Sequence, residues 1–232
     1  FTKWVLDFRS NKKILSYLNK KNLNIFSQSG PITPDHVIRI KPKPLILKLE
    51  NISRKELDKK ILNSINIFKK NYIKYFNKNK KFLKGSVMLD TNPRIILMPG
   101  LGIVGIGRTS KEAKIASDLA ECTIDVISQA ESFGKFKSIS EKEIFKMEYW
   151  SLEQAKLKNL KRKHFSGNVV LISGGCGEIG LSTAESFLKE GAEVILLEKE
   201  QRRINDTPTK IKKFISILKC DVTNTYSLDK AI

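Results

Sequence analysis

Between Val169 and Gly180 the chain reads Val-Val-Leu-Ile-Ser-Gly-Gly-Cys-Gly-Glu-Ile-Gly, an apolar run that passes through glycines into a helical repeat at Leu181, Ala184 and Leu188. Few folds accept that order. The apolar residues have the length and β-branching of a buried parallel strand, and the change of period behind them marks a strand, a turn and a helix. Gly174 permits the tight turn, Gly177 lets the backbone approach a pyrophosphate, and Gly180 lets the helix lie close against the strand. The unpaired amides of the helix start would then face the anion. The pattern is that of a dinucleotide-binding turn.

The next residues keep the register. Gly191-Ala192-Glu193 ends the helix, Val194 to Leu197 forms a second apolar strand, and Glu198 closes it eighteen residues past Gly180. A carboxylate there accepts hydrogen bonds from both hydroxyls of an adenosine ribose and repels a 2′-phosphate, which favours NAD over NADP. Lys199, Arg202 and Arg203 come immediately afterwards and weaken that preference. A third strand, Phe214 to Lys219, runs into Cys220-Asp221-Val222-Thr223. Three glycines alone would mark an ordinary strand-to-helix turn. Strand, turn, helix, second strand and acid in one register favour a bound cofactor.

These residues resemble the short-chain dehydrogenase/reductase superfamily. The resemblance implies that Ser173, Gly174, Gly177, Ile179 and Gly180 hold the pyrophosphate, that Glu198 holds the adenosine ribose, and that Asp221 and Val222 lie against the adenine. The commonest members carry glycine or alanine where this chain has Glu178; the spacing Gly174-x-x-Gly177-x-x-Gly180 is that of the extended, epimerase-like members. Glu178 beside a pyrophosphate weakens binding unless its side chain turns to solvent. The family's proton transfer uses a serine and a Y-x-x-x-K pair, in which the lysine lowers the phenol pKa. Tyr226 to Lys230 fits that spacing but comes directly after Asp221-Val222, on the adenine side, whereas the family's pair lies two strands further on. Tyr149 has Glu153 at the lysine position. No catalytic residue is assigned in this chain.

The bulk composition narrows the class. The 232 residues allow one large domain or two ordinary ones, and 41% hydrophobic with 29% charged residues suits a soluble globular protein. A net charge of +19 raises a nucleic-acid reading. The lysines are spread over the whole chain beside abundant Ile and Asn, as an A+T-rich coding bias would leave them, and no basic stripe interleaved with aromatics appears. Cys122, Cys176 and Cys220 lie far apart with no metal spacing, which suits reduced cytosolic thiols. No apolar run approaches the ~20 residues a bilayer span needs, and no signal peptide opens the chain. A cytoplasmic location is expected, without membrane or nucleic-acid partners. Starting at Phe1 and stopping three strands into a nucleotide fold, the chain reads as a piece of something longer.

The first 160 residues carry different signals. A helix is expected around Lys12 to Lys20, and Pro34 opens another behind a Thr33 cap. His36 by itself cannot build a zinc site and is expected at the surface or in a helix-start contact. Ser53 and Glu56 form a capping box before Leu57, Ile61, Ile65, Phe68, Tyr72 and Phe76, which predicts an amphipathic helix of about six turns ending near Asn77 with its aromatics in the core. Arg94 to Met98 is a buried strand. Gly100, Gly102 and Gly105 then satisfy G-x-G-x-x-G literally, yet Thr109 and Glu112 cap the next helix after the glycines, so the stretch is read as a glycine turn packed under a helix running to about Ser132. An anion loop with Arg108 as donor is the functional alternative. Phe133 to Phe145 reads as irregular, and Glu148 to Ala155 as the opening of a helix that continues to a basic boundary near residue 165.

Gly30-Pro31-Ile32-Thr33-Pro34-Asp35-His36-Val37-Ile38-Arg39, Pro99-Gly100-Leu101-Gly102 with Gly107-Arg108-Thr109, and Met147-Glu148-Tyr149-Trp150-Ser151-Leu152-Glu153-Gln154-Ala155-Lys156-Leu157 resemble the fusion proteins in which a class II aldolase (adducin-like) domain precedes a short-chain dehydrogenase. Rhamnulose-phosphate aldolase/dehydrogenases are the example. The resemblance implies an α/β fold: the C-terminal part of a class II aldolase-like domain with a linker helix over 1–160, then the first half of a Rossmann domain over 166–232. It implies an NAD-dependent dehydrogenase acting on a small sugar-derived hydroxy or carbonyl compound, in a homo-oligomer. Family members hold a divalent metal through an H-x-H pair and a later histidine; His36 and His164 stand in neither context, so no metal ligand is assigned in this span. A nucleotide-sugar epimerase-like protein that retains its NAD is the first alternative, and a basic nucleic-acid-binding protein the second.

Overall fold

The computed structural model describes residues 3–49, 53–158 and 163–231. The chain divides into two compact units, one formed by residues 6–107 and 111–160, the other by 161–232 with 1–5 and 108–110. Residues 159–162, part of the basic stretch placed before the boundary, lie outside the described residues.

The first unit is a four-stranded sheet with helices. In chain order come β1 (Val5–Arg9), α1 (Lys12–Leu18), α2 (Leu23–Phe26), α3 (Pro34–Ile40), β2 (Leu45–Ile46) and α4 (Arg54–Asn79). Next are a short 3-10 turn, β3 (Ile95–Met98), β4 (Gly102–Gly107), α5 (Ser110–Phe133), α6 (Glu141–Tyr149) and α7 (Ser151–Lys158). The strand order is β1-β4-β3-β2. Alanines at 113, 116 and 120 give α5 a flat face, so it beds closely on Ile95, Leu97 and Ile103 with Ile124 and Ile127 alongside.

Local signals set several boundaries. Thr33 caps α3 by accepting from the His36 amide, with Pro34 in the first turn. Glu56 Oε2 accepts from the Ser53 hydroxyl at 2.7 Å at the start of α4. α4 runs two residues past its expected end, and only Tyr72 and Phe76 of its apolar stripe are fully buried. Leu57 to Phe68 is half-buried, because the helix packs on α6 through its C-terminal half, where Phe76, Phe145 and Tyr149 form an aromatic cluster. Truncating Phe145, which is wholly buried, to alanine would cost about 3–5 kcal/mol.

Three expectations need correction. The glycines at 102, 105 and 107 are not a turn: they lie in β4, antiparallel to β3 with Ile95 opposite Gly105 and Met98 opposite Gly102. The turn is confined to residues 99–101, and Ile103, Val104 and Ile106 supply enough β-branching to make a strand of the rest. Arg108 at the end of this stretch lays its guanidinium over the Trp4 ring at 3.4 Å. The segment read as irregular up to Phe145 contains α6, started by Ser140 accepting from the Glu143 amide, and the helix expected from Glu148 is broken at an extended Trp150. Of the two places expected for His36 the structure shows the helix-start contact: it is buried, its Nδ1 meets the Thr33 hydroxyl at 2.8 Å, and burial pushes its imidazole below the ordinary value.

The second unit is a parallel sheet in the order β5-β6-β7, with β5 (Val169–Ser173), α8 (Glu178–Lys189), β6 (Glu193–Glu198), α9 (Gln201–Asp206), α10 (Thr209–Lys212), β7 (Ile215–Lys219) and α11 (Thr225–Ala231). Parallel pairing requires a crossover, which α8 supplies between β5 and β6. Ala184, Val194 and Leu196 lie in its core, with the Phe165 and Phe187 rings 5.0 Å apart and nearly perpendicular nearby. β5 is parallel as expected; among the described residues, which supply three strands of this sheet, Val169 is 62% and Leu171 48% exposed. Among the described residues no helix is long and apolar enough to cross a membrane.

Candidate cofactor site

The parallel register brings the C-terminal ends of the three strands to one edge. Ser173 at the end of β5 lies beside Leu197, Glu198 ends β6 opposite Lys219, and Asp221 lies two residues past the end of β7. This edge, where crossing chains leave a crevice, is where open α/β sheets bind ligands. Of the eight residues expected from the sequence, Ser173, Glu198, Asp221 and Val222 stand along this edge, Gly174 and Gly177 in the turn above it, and Ile179 and Gly180 in the first turn of α8.

The turn itself is built by what each glycine lacks. Gly174 has φ +59°, a left-handed conformation that a side chain disfavours by roughly 1–2 kcal/mol. A Cβ on Gly180 would stand 2.7 Å from the Gly175 backbone and 2.8 Å from the Gly174 carbonyl, so helix and turn touch there. Gly177 differs: an added Cβ would meet nothing closer than 3.4 Å, so the fold leaves open the space that an incoming ligand would use. Gly175, to which the sequence pattern assigned no role, is the packing glycine. Its Cβ would collide with Leu196 at 2.7 Å, and its amide donates to the Leu197 carbonyl, which ties the turn to β6. The double glycine was the available signal.

Gly177 is also the N-cap of α8, and having no side chain it makes no capping hydrogen bond. The first intrahelical bond runs from the Leu181 amide to the Gly177 carbonyl, so the amides of Glu178, Ile179 and Gly180 precede the helical ladder. Three unused donors with the positive end of a 12-residue helix behind them suit an anion. Glu178 is exposed and turned to solvent, which removes the objection to a carboxylate in this turn. Ile179 is 86% exposed and presents bare hydrocarbon beside the amides.

Glu198 is only 4% exposed. Its Oε1 accepts from the amides of Lys199 at 2.9 Å and Glu200 at 3.1 Å, which fixes the side chain, while Oε2 is buried with no partner in the chain. A buried carboxylate oxygen left without a donor costs about 1–3 kcal/mol or more, and a ligand hydroxyl is the kind of group that removes the cost. The neighbouring cations are engaged. Lys199 pairs with Asp221 at 2.8 Å, Arg203 with Glu200 at 3.3 Å, and Arg202 with Asp206 at 3.7 Å. Arg203 Nη1 nevertheless reaches within 3.8 Å of the position a Cβ on Gly177 would take, so a guanidinium stands beside the turn.

Asp221 is held by Lys199 first, and then by the Thr223 hydroxyl and amide, so its carboxyl titrates low, at about 2. Val222 is 44% exposed next to it. Tyr226 and Lys230 lie on α11, directly after this segment. Among the described residues, no three His, Cys, Asp or Glu side chains converge as metal ligands.

Comparison with known proteins gives the family. Residues 2–157 match the model for the second domain of class II aldolases, and residues 168–232 that for short chain dehydrogenases. The chain is 32% identical over 199 residues to the uncharacterized oxidoreductase YuxG of Bacillus subtilis, covering 84% of this chain and 29% of that protein. It is 32% identical over 78 residues to a fatty acyl-CoA reductase of Acinetobacter baylyi, covering 32% of this chain and 26% of that protein. The chain thus spans less than a third of the length of either relative. Among solved structures, YgbL from Escherichia coli shares 14% identity with a TM-score of 0.37 over 60% of this chain and 54% of that one, too slight a likeness to carry weight. A short-chain dehydrogenase domain is in general a nicotinamide-cofactor domain. The chain belongs to the class II aldolase family through its second-domain module, and carries behind it the start of a short-chain dehydrogenase domain.

Proposed function

We propose that this chain supplies the adenosine half of an NAD site to a dehydrogenase or reductase fused to a class II aldolase-like domain. The observation that carries the reading is Glu198, clamped through one oxygen by its own backbone and left with the other buried and unpaired at the mouth of the parallel sheet. The diphosphate rests on the amides of Glu178, Ile179 and Gly180, with Gly177 leaving room for its oxygens; Oε2 of Glu198 receives a ribose hydroxyl; Asp221 and Val222 border the adenine. When bound, the nicotinamide supplies hydride transfer. What these residues do is bind and orient. NAD is preferred because a 2′-phosphate would be pressed against the buried Glu198 carboxylate, and Arg203 limits that preference, standing close enough to the turn to compensate part of the repulsion. The substrate is a small hydroxy or carbonyl compound, and the company of the aldolase module points to a sugar-derived one. The complete protein is a cytoplasmic homo-oligomer.

Calorimetric titration of the complete protein with NAD and NADP tests this. Glu198→Ala should weaken NAD about tenfold, the loss of roughly one charge-assisted hydrogen bond, and bring NADP closer to NAD. Unchanged affinities for both would remove the ribose assignment. The Gly174, Gly177, Gly180 spacing favours one second reading, an epimerase-like protein that keeps its NAD; nucleotide that stays with the protein through gel filtration would decide for it.

A further inference from the structure

A second site can be argued in the first unit, far in sequence from the glycine turn and independent of the dehydrogenase reading. A cavity of about 600 Å³ lies along α4, within the usual size range of small-molecule pockets. Its apolar wall includes Pro42, Pro44, Phe68, Tyr72, Tyr75 and Ile144. Its charged lining is three lysines, Lys43, Lys74 and Lys78, against a single acid, Glu141. Lys78 pairs with Glu141 at 2.9 Å, which leaves Lys43 and Lys74 as excess positive charge around the opening.

The two tyrosines show what the interior offers. The Tyr72 hydroxyl donates to Glu148 Oε1 at 2.6 Å and accepts from Tyr149 at 2.8 Å, so both its bonds are spent behind the wall. The Tyr75 hydroxyl is buried as well and lies close to the same carboxylate. Lys41 Nζ sits 3.6 Å from the centre of the Tyr72 ring and donates to the Asp90 carbonyl. With their polar ends sequestered, the rings present carbon to the cavity. Gln28, Ser29 and Asn71 are the neutral polar groups on the lining.

An apolar interior with a cationic rim selects one ligand chemistry. A free phosphate would gain from the lysines but would leave the aromatic wall wetted; a neutral apolar molecule would fill the interior and waste the charge. We propose that the cavity bounded by α4, α6 and the Pro42 to Pro44 loop binds an organic anion, with an aliphatic or aromatic body against Phe68, Tyr72 and Tyr75 and a carboxylate head at Lys43 and Lys74.

Calorimetry on the complete protein with octanoate, 1-octanol and inorganic phosphate as probes tests it. Octanoate should bind once per chain, with octanol and phosphate each at least about tenfold weaker. Asn71→Trp, which fills the cavity from α4, should abolish octanoate binding, and the double variant Lys43→Glu with Lys74→Glu should weaken it at least about tenfold without moving the thermal midpoint, since both side chains are exposed. Octanol binding as tightly as octanoate would overturn the anion requirement, and phosphate binding as tightly would overturn the apolar one. Octanoate that binds undiminished to a folded Asn71→Trp protein, or does not bind the unaltered chain, would overturn the site. If Asn71→Trp fails to fold, the charge-reversed variant decides alone: undiminished binding to it overturns the proposal.

Discussion

Two glycine-rich stretches, Gly100 to Gly107 and Gly174 to Gly180, look alike on paper and fold in opposite ways. The first has the literal G-x-G-x-x-G spacing and becomes an antiparallel hairpin; the second has G-x-x-G-x-x-G and becomes a strand, a phosphate-type turn and a helix. The residues between the glycines decide. Ile103, Val104 and Ile106 favour a strand, whereas Leu181 to Leu188 carries the helical period. The glycines are also used differently. Those of β4 make way for protein: a Cβ on Gly105 would sit 2.3 Å from the Ser117 hydroxyl and 2.5 Å from the Ala113 carbonyl, and one on Gly107 2.3 Å from the Ala113 amide. Gly177 is not needed for packing: a Cβ there would meet the Gly174 carbonyl at 3.4 Å and Arg203 Nη1 at 3.8 Å, both ordinary contacts. A glycine at a helix start that the packing does not require is the one a ligand can need.

Substitutions can break or sharpen that contrast. The largest effect is expected from Gly105→Val, which drives a branched side chain into the backbone of α5; denaturant unfolding should show a loss of about 3 kcal/mol or more, with cofactor affinity unchanged in whatever protein folds. Gly180→Val pushes into the backbone of its own turn and should cost about 2 kcal/mol and cofactor binding together, read by unfolding and by NADH fluorescence. Gly177→Ala separates the two quantities: stability should stay within about 0.5 kcal/mol, while NADH affinity falls about tenfold because the methyl occupies the approach path of the pyrophosphate. An alanine at 177 that destabilises the fold and leaves NADH binding alone would reverse the comparison. Gly100→Ala and Gly174→Ala, at φ +77° and +59° with open space beyond, should each cost about 1 kcal/mol, showing that the two turns are equivalent as turns.

A gentler contrast lies in two buried glutamates, each with an unpaired Oε2. Glu198 is fixed by backbone amides at a sheet edge. Glu148 is 1% exposed and sits among Lys41, Tyr72, Tyr75 and Tyr149, where burial pushes its carboxyl up to about 7. Lys41, in a left-handed conformation at φ +68°, is pushed down to about 8 by the same burial, with Glu148 and Asp90 opposing and Arg94 adding to the shift. A carboxyl raised on folding contributes stability that is full below its ordinary 4.5 and lost as pH rises through about 7. An amine lowered on folding contributes stability present above 10.5 and lost as pH falls through about 8. Stability should therefore dip between pH 7 and 8 and recover on both sides. Glu148→Gln should remove the acid limb of a chemical-denaturation series; persistence of that limb would show that another group carries it.

How much of this was legible in the sequence depends on whether the cause was local. Thr33 with Pro34, Ser53 with Glu56, and the Gly174 turn are decided within a few residues, and the elements they start stand where the pattern put them. β4 was missed because its glycines masked the strand signal of Ile103, Val104 and Ile106, which pairing with β3 and the close approach of α5 complete. Within the cofactor site the chemical types were readable, but the role of Gly175 and the half-satisfied Glu198 needed coordinates. The Lys41 and Glu148 cluster joins residues more than 100 positions apart, and no local pattern announces it.

The most direct test of the central claim, that the α8 amides carry the cofactor's diphosphate, is backbone amide NMR of the complete protein during titration with NAD. The amides of Glu178, Ile179 and Gly180 are expected to shift with the same saturation curve as the rest of the site, and Gly177→Ala should weaken that curve for all three. If NAD saturates the protein while these three amides stay where they were, the diphosphate lies elsewhere and the cofactor reading of this turn is wrong.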